Sequence, residues 1–220
     1  IMPVTKIDIS ISDDGVITMM NDGNGIDIAK HPEHSIWIPE MIFGHLRTST
    51  NYDKSKKKIV GGKNGFGFKL VLIWSEWGKI ETVDHIRQLS YTQAFDANLS
   101  KIHPPVVKKC TKKPFTKVTF KPDYKRLGID GLTPDMRALF ERRVYDIAAV
   151  TSKNVKVRLN DELIPVRYFP NYIDLYIGSK SETKRIYEVA NDRWEYAVCF
   201  APSEEFTQVS FVNGIYTSKG

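Results

Sequence analysis

The 220 residues are 41% hydrophobic and 26% charged, a balance expected of a soluble, globular chain with one large or two small domains and a real core. The net charge of +6 would suit a polyanionic partner, yet the clusters Lys54 to Lys58 and Lys108 to Lys113 read first as solvated loops and only second as nucleic-acid contacts. No apolar run approaches the roughly 20 residues of a membrane span, no targeting segment is expected at Ile1-Met2-Pro3-Val4, and Cys110 and Cys199 stand too isolated for a zinc site or disulfide framework; a reducing, intracellular compartment and no membrane follow.

Ile7, Ile9 and Ile11 alternate with Asp8 and Ser10, Ser12 to Gly15 interrupts, and Val16 to Met20 resumes, which predicts a β-hairpin. The chain opens directly on this strand and has the look of a piece cut from something longer. Asn21-Asp22-Gly23-Asn24-Gly25-Ile26 is expected to end the second strand, either as a ligand-binding junction or as an ordinary turn, with Asp22 stabilising it. Apolar residues at 38, 42, 43 and 46 predict a short helix beginning near Pro39, with Glu40 facing out. Thr48-Ser49-Thr50-Asn51 then offers hydroxyl and amide groups suited to phosphate or sugar oxygens, and Asp53 to Lys58 reads as a polar lid.

Gly61 to Lys69, with four glycines in seven residues ahead of the apolar run Leu70 to Trp74, reads as a phosphate cradle feeding a helix or as a glycine-rich turn before a buried one. Both standard phosphate patterns fail. Phe68 stands where a P-loop needs Lys, and Gly65-Phe66-Gly67-Phe68-Lys69-Leu70 lacks the third glycine of a dinucleotide fingerprint.

Strands are predicted at Lys79 to Val83, Ile86 to Phe95 and Lys117 to Phe120, with loops at His103 to Pro114 and Asp123 to Asp130. Thr133 as a cap, Pro134 in the first turn, and Met136, Leu139, Phe140, Val144, Ile147 and Ala148 at spacings of three and four predict a helix whose apolar stripe packs on the sheet, Arg142 and Arg143 lying towards solvent. A hairpin at Val155 to Leu159 and Leu163 to Tyr168, and a strand at Tyr172 to Ile177, should follow. Gly178 to Thr183 reads as a domain boundary, beyond which Arg185 to Ala190, Trp194 to Phe200 and Phe206 to Val212 read as strands and Asn213 to Gly220 as an open loop.

Three signals occur in one order: a turn after a strand, a hydroxyl and amide cluster after a helix, and a glycine loop entering a helix. Asn21 to Ile26, Ile42 to Asp53 and Gly61 to Lys69 resemble the ATPase domain of eukaryotic and viral type II DNA topoisomerases, within the superfamily of gyrase B, Hsp90, histidine kinases and MutL. The resemblance continues through Thr119 to Asp123, Arg142 to Ala148 and Phe211 to Gly220. It implies an α+β fold, a two-layer sandwich of the gyrase and Hsp90 type, with an ATP-binding domain over residues 1–180 and the start of a transducer domain over 181–220. It implies ATP and Mg²⁺ as cofactors, and double-stranded DNA and a second subunit as the parent's partners.

By the same resemblance Asn21 would recognise the adenine amino group and Gly25 would leave room for the ring. Ser49, Thr50 and Asn51 would contact ribose and phosphates. Gly62, Lys63, Asn64, Gly65, Phe66, Gly67, Phe68 and Lys69 would wrap the triphosphate, with Phe66 and Phe68 departing from the commoner Tyr and Ala. The family's water-activating Glu and magnesium-holding Asn lie on a helix before the first strand, and its γ-phosphate Lys lies in the transducer. No catalytic or metal residue is therefore expected in this chain, which reads as a nucleotide cradle. A nucleotide-independent module for DNA or a protein partner is the alternative.

Overall fold

A computed structural model describes residues 2–46, 61–62, 65–200 and 206–218. Its main element is a nine-stranded sheet built from β1 (Lys6–Ile11), β2 (Ile17–Asp22), β3 (Ser75–Asp84), β4 (Leu89–Asp96), β5 (Lys101–Ile102), β6 (Val106–Lys109), β7 (Phe115–Pro122), β8 (Lys156–Leu159) and β9 (Glu162–Leu163). The order is β5-β4-β3-β7-β2-β1-β8-β9, with β6 also on β4. All pairs are antiparallel except β1 with β8, which run parallel.

Register explains the layering, because residues directly opposite one another share a face. Ile11, Ile17, Phe120, Gly78 and Phe95 form one cross-strand row, and Ile9, Met19, Val118, Ile80 and Gln93 the next. The helices α1 (Ile38–Gly44), α2 (Gly67–Ile73), α3 (Pro134–Val150) and α4 (Phe169–Ile177) all pack on this face. Phe43 and Leu72 join Ile17, Ile80, Phe95, Val118 and Phe120 in one core; Val144, Ala148 and Tyr172 join Ile9, Val157, Ile164 and Val166 in another. Met19 touches both. On the opposite face Lys79 and Lys117 pair with Glu81, and Thr18 hydrogen-bonds Thr119. The result is α+β, helices on one side of a sheet whose other side is polar. No helix among the described residues is long and apolar enough to cross a membrane.

Several expectations need correction. Asn21 and Asp22 continue β2, paired with Thr116 and Phe115, because turn-forming residues can extend a strand when a neighbour supplies the ladder. The segment 172–177 lies in helix α4; its apolar run has a packing partner in α3, and Tyr172 donates to Asp146 Oδ1 at 2.6 Å. The loop His103 to Pro114 contains β6, and Asn213 to Thr217 turns into a hairpin of β12 (Ser210–Val212) with β13 (Ile215–Thr217). Arg142 is exposed as expected, yet it lies over the Tyr216 ring, as does Arg143, which also pairs with Asp146 at 2.6 Å. A separate ribbon of β10 (Arg185–Asn191) with β11 (Trp194–Cys199) completes the elements. The α3 start is as read: the Thr133 side chain accepts from Met136 N, with Pro134 in the first turn.

Candidate functional site

The third cross-strand row on the helix-covered face changes character. It runs Ile7, Asn21, Thr116, Thr82, Tyr91, so polar side chains replace the apolar ones at this end of the sheet. The Asn21 amide donates to Asp22 O at 2.7 Å, which leaves its Oδ1 acceptor without a partner among the described residues. Thr82 Oγ1 donates to Phe115 O at 2.9 Å and accepts from Ile26 N at 3.0 Å. A hydroxyl has a single proton, so at the 3.3 Å contact with Thr116 it is Thr116 that donates, keeping acceptor lone pairs of its own.

The turn after β2 is bolted to the end of β3. Gly25 has φ +71, and a Cβ there would meet Val83 O at 1.9 Å, so only glycine permits this approach. Asp84, 2% exposed, accepts from Ile28 N at 3.0 Å, Arg87 Nη1 at 2.9 Å, Ile86 N at 2.9 Å and Arg87 N at 3.1 Å. Burial pushes its carboxyl up, but these four donors outweigh burial and hold it below the usual value.

The glycine loop leads into α2. Ile26 from the turn and Phe68 from the start of α2 pack against the same core. Gly65 has φ +68, and a Cβ added at Gly62 or Gly67 would meet nothing within 4 Å. Lys69, only 2% exposed, reaches back to Gly65 O at 2.7 Å, and burial depresses its ammonium. Phe66 forms the N-cap position of α2. The Phe68 side chain is core: it sits edge-on to Phe43 at 5.2 Å and Phe120 at 5.9 Å, so it contributes packing and only its backbone can serve the loop. Gly61 lies against Ile215 of β13, where a Cβ would come within 2.0 Å. Ser49, Thr50, Asn51, Lys63 and Asn64, and the Asp53 to Lys58 segment, lie outside the described residues.

The carboxylates on these elements are committed. Asp22 accepts from Thr5 N at 2.7 Å, Thr5 Oγ1 at 2.5 Å and Lys6 N at 3.0 Å. Glu40 turns inward, against expectation: Oε2 accepts from Gln93 Nε2 at 2.7 Å and Oε1 lies 3.4 Å from His45 Nε2. Gln93 in turn accepts from Tyr91 OH at 2.6 Å, tying α1 to the floor of the site. Thr82, Thr116 and Asp84 join the candidate site although motif reading passed over them; their signal was two hydroxyls at inward positions of otherwise apolar strands. The arrangement offers a hydrogen-bonding floor, a close-approach glycine and a loop of backbone N–H groups beside a buried ammonium. It can hold a planar polar ring and an attached anion.

No family model matches the chain. It is 48% identical over 213 residues to DNA topoisomerase 2 of Arabidopsis thaliana, covering 93% of this chain and 14% of that protein. It is 43% identical over 220 residues to DNA topoisomerase 2 of Acanthamoeba polyphaga mimivirus, covering 99% of this chain and 17% of that protein. Among solved structures, the ATPase region of Saccharomyces cerevisiae topoisomerase II superposes with a TM-score of 0.91 at 42% identity, covering 97% of this chain and 56% of that one. The ATPase and transducer domains of Balamuthia mandrillaris DNA topoisomerase II give a TM-score of 0.89 at 37% identity, covering 97% and 54%. The chain thus spans about a sixth of the curated relatives it matches and little more than half of the matched structures.

Proposed function

Because the chain belongs, in sequence and fold, to the type II DNA topoisomerase family and corresponds to part of its ATPase region, we propose that it binds ATP in the cradle between the sheet floor and the glycine loop. Asn21 Oδ1 receives the adenine amino group, Gly25 admits the ring, and the N–H groups of residues 62–69 with the Lys69 ammonium meet the phosphates. Ser49, Thr50, Asn51, Lys63 and Asn64 complete the contacts. The observation that carries this reading is the floor: the polar row Asn21, Thr116 and Thr82 ends an otherwise apolar face, and Gly25 is held against Val83 O beside it. Lys69, buried and donating to Gly65 O, adds positive charge to the glycine loop, the field a polyphosphate would meet.

Mg²⁺ accompanies the triphosphate, neutralising its charge. Asp22, Glu40 and Asp84 are spent on protein donors, so we assign the ion no ligand among the described residues. In the parent protein ATP binding closes a two-subunit gate around double-stranded DNA and hydrolysis resets it. Residues 1–180 would form the nucleotide domain and 181–220 the start of the transducer that relays its state; Ile215 lies against Gly61, Phe211 against Tyr172 and Tyr216 beneath Arg143. The compartment is intracellular and reducing.

The test is binding of a fluorescent, non-hydrolysable ATP analogue to the whole chain and to Lys69→Met, which keeps the packing of the stem. The variant should bind at least about tenfold more weakly, about 1.4 kcal/mol, with an unchanged circular dichroism spectrum. Equal Kd values would sink the assignment. A nucleotide-independent module finds less support, since the outer-face cations Lys79, Lys117 and Lys121 are paired with Glu81 and Glu76.

A further inference from the structure

Between the turn and α1, residues 30–37 form a closed loop unrelated to the cradle's chemistry. Lys30 and Trp37 make an isolated antiparallel bridge, and Ile38 N donates to Ala29 O at 2.8 Å. Inside it His31 N donates to Ile36 O at 2.7 Å and Ser35 N to His31 O at 2.9 Å, with Ser35 at φ +55. The loop is therefore shaped by its own backbone before any ligand arrives.

On this frame His31, Glu33 and His34 bring one ligand atom each to within 4.8 Å of one another. The two imidazoles stack with centroids 4.9 Å apart and planes 20° from parallel. Glu33 N donates to His31 Nδ1 at 3.3 Å, which marks Nδ1 as the unprotonated nitrogen, its lone pair directed into the turn. The neighbouring cation, Lys30, is drawn away over the Trp37 ring at 5.7 Å.

We propose that His31, Glu33 and His34 form a surface site for a borderline transition-metal ion such as Zn²⁺ or Co²⁺. Two imidazoles and one carboxylate are a donor set these ions favour over Mg²⁺ or Ca²⁺, and three protein ligands leave a fourth, water-filled position. Metal–ligand bonds of about 2.0–2.1 Å put tetrahedral donor atoms about 3.4 Å apart. Side-chain rotation closes the remaining gap, and the long Glu33 N contact is exchanged for a metal bond. Because the loop joins the Asp84-anchored turn to α1, an ion here braces one side of the cradle and, binding only the folded chain, raises its melting temperature.

The experiment is titration of the whole chain with Co²⁺, followed by visible absorption, with Zn²⁺ as competitor and thermal melting alongside. The expected result is one Co²⁺ per chain with the spectrum of tetrahedral nitrogen and oxygen ligation, displaced by Zn²⁺, and a Zn²⁺-dependent rise in melting temperature. Glu33→Gln and His34→Ala, both at exposed positions, should bind at least tenfold more weakly while melting like the parent without metal; His103→Ala should bind normally. A sulfur-to-cobalt charge-transfer band would place the ion at Cys110 or Cys199 and overturn the proposal. Binding unaffected by His34→Ala, or lost in His103→Ala, would do the same.

Discussion

Asp84 shows how one side chain can hold a binding turn in place. Its two oxygens take four hydrogen bonds from Ile28, Ile86 and Arg87 while burial opposes its charge, and the net effect keeps its carboxyl below the ordinary value of 3.8. A carboxyl depressed on folding contributes stability that is complete above the unfolded pKa and is lost as pH falls through the folded one. The melting temperature should therefore hold level above about pH 5 and drop below about pH 4. Asp84→Asn should lower it at pH 7 and flatten the acid limb; identical acid limbs for parent and variant would contradict this. At this scale the sequence showed the glycines and Lys69, because their chemistry is written in residue type. Thr82 and Thr116 were hidden, because which hydroxyls meet depends on the register between β3 and β7, which lie over thirty residues apart in the chain.

Among the elements, α1 is held by chemistry that its seven-residue length does not suggest. Phe43 gives it an apolar anchor, and the Glu40–Gln93–Tyr91 chain gives it a polar one on strand β4. Glu40→Ala would leave Gln93 short of an acceptor in a buried setting, a loss of about 1–3 kcal/mol, and should weaken nucleotide binding because the predicted contacts Ser49 to Asn51 follow α1 directly. Glu40→Gln keeps an acceptor oxygen at the same reach and should recover most of both. Melting curves and analogue titrations of the two variants decide it: equal behaviour of Ala and Gln would show that the carbonyl geometry is irrelevant. Helix α3 was legible from its Thr133 cap and apolar spacing, whereas α4 was not. Tyr172, Ile173, Tyr176 and Ile177 favour strands when no partner is known, and only packing against α3 and Phe211 turns that run into a helix.

For the molecule as a whole, the β10–β11 ribbon stands apart from the large sheet and carries its apolar residues outward. Ile186 is 67% exposed, Val189 60%, Trp194 69% and Val198 60%, and neither ribbon edge has a strand partner among the described residues. Exposed apolar edges associate. In sedimentation velocity the chain should show reversible self-association at tens of micromolar, relieved in an Ile186→Lys, Val198→Lys variant, since these two face each other across the ribbon. A monomer at all concentrations would refute this. The α+β class followed from the family resemblance and the run of strands after residue 178 from alternation, but neither gave the ribbon's separation, which depends on what each strand finds to pair with.

The parallel pairing of β1 with β8 carries a kinetic implication. Lys6 to Ile9 lie in register with Lys156 to Leu159, and Asn160 Oδ1 accepts from Ile11 N at 2.9 Å, so β1 is closed on one side by residues made about 150 positions later. On the ribosome the β1–β2 hairpin must wait, this edge of β1 bare, until that late segment emerges. Nascent chains stalled with residue 150 just outside the exit tunnel should be cleaved readily by protease within β1–β2, and those with residue 165 outside should resist. If resistance begins at the earlier length, the β1–β2 hairpin does not depend on its late partner.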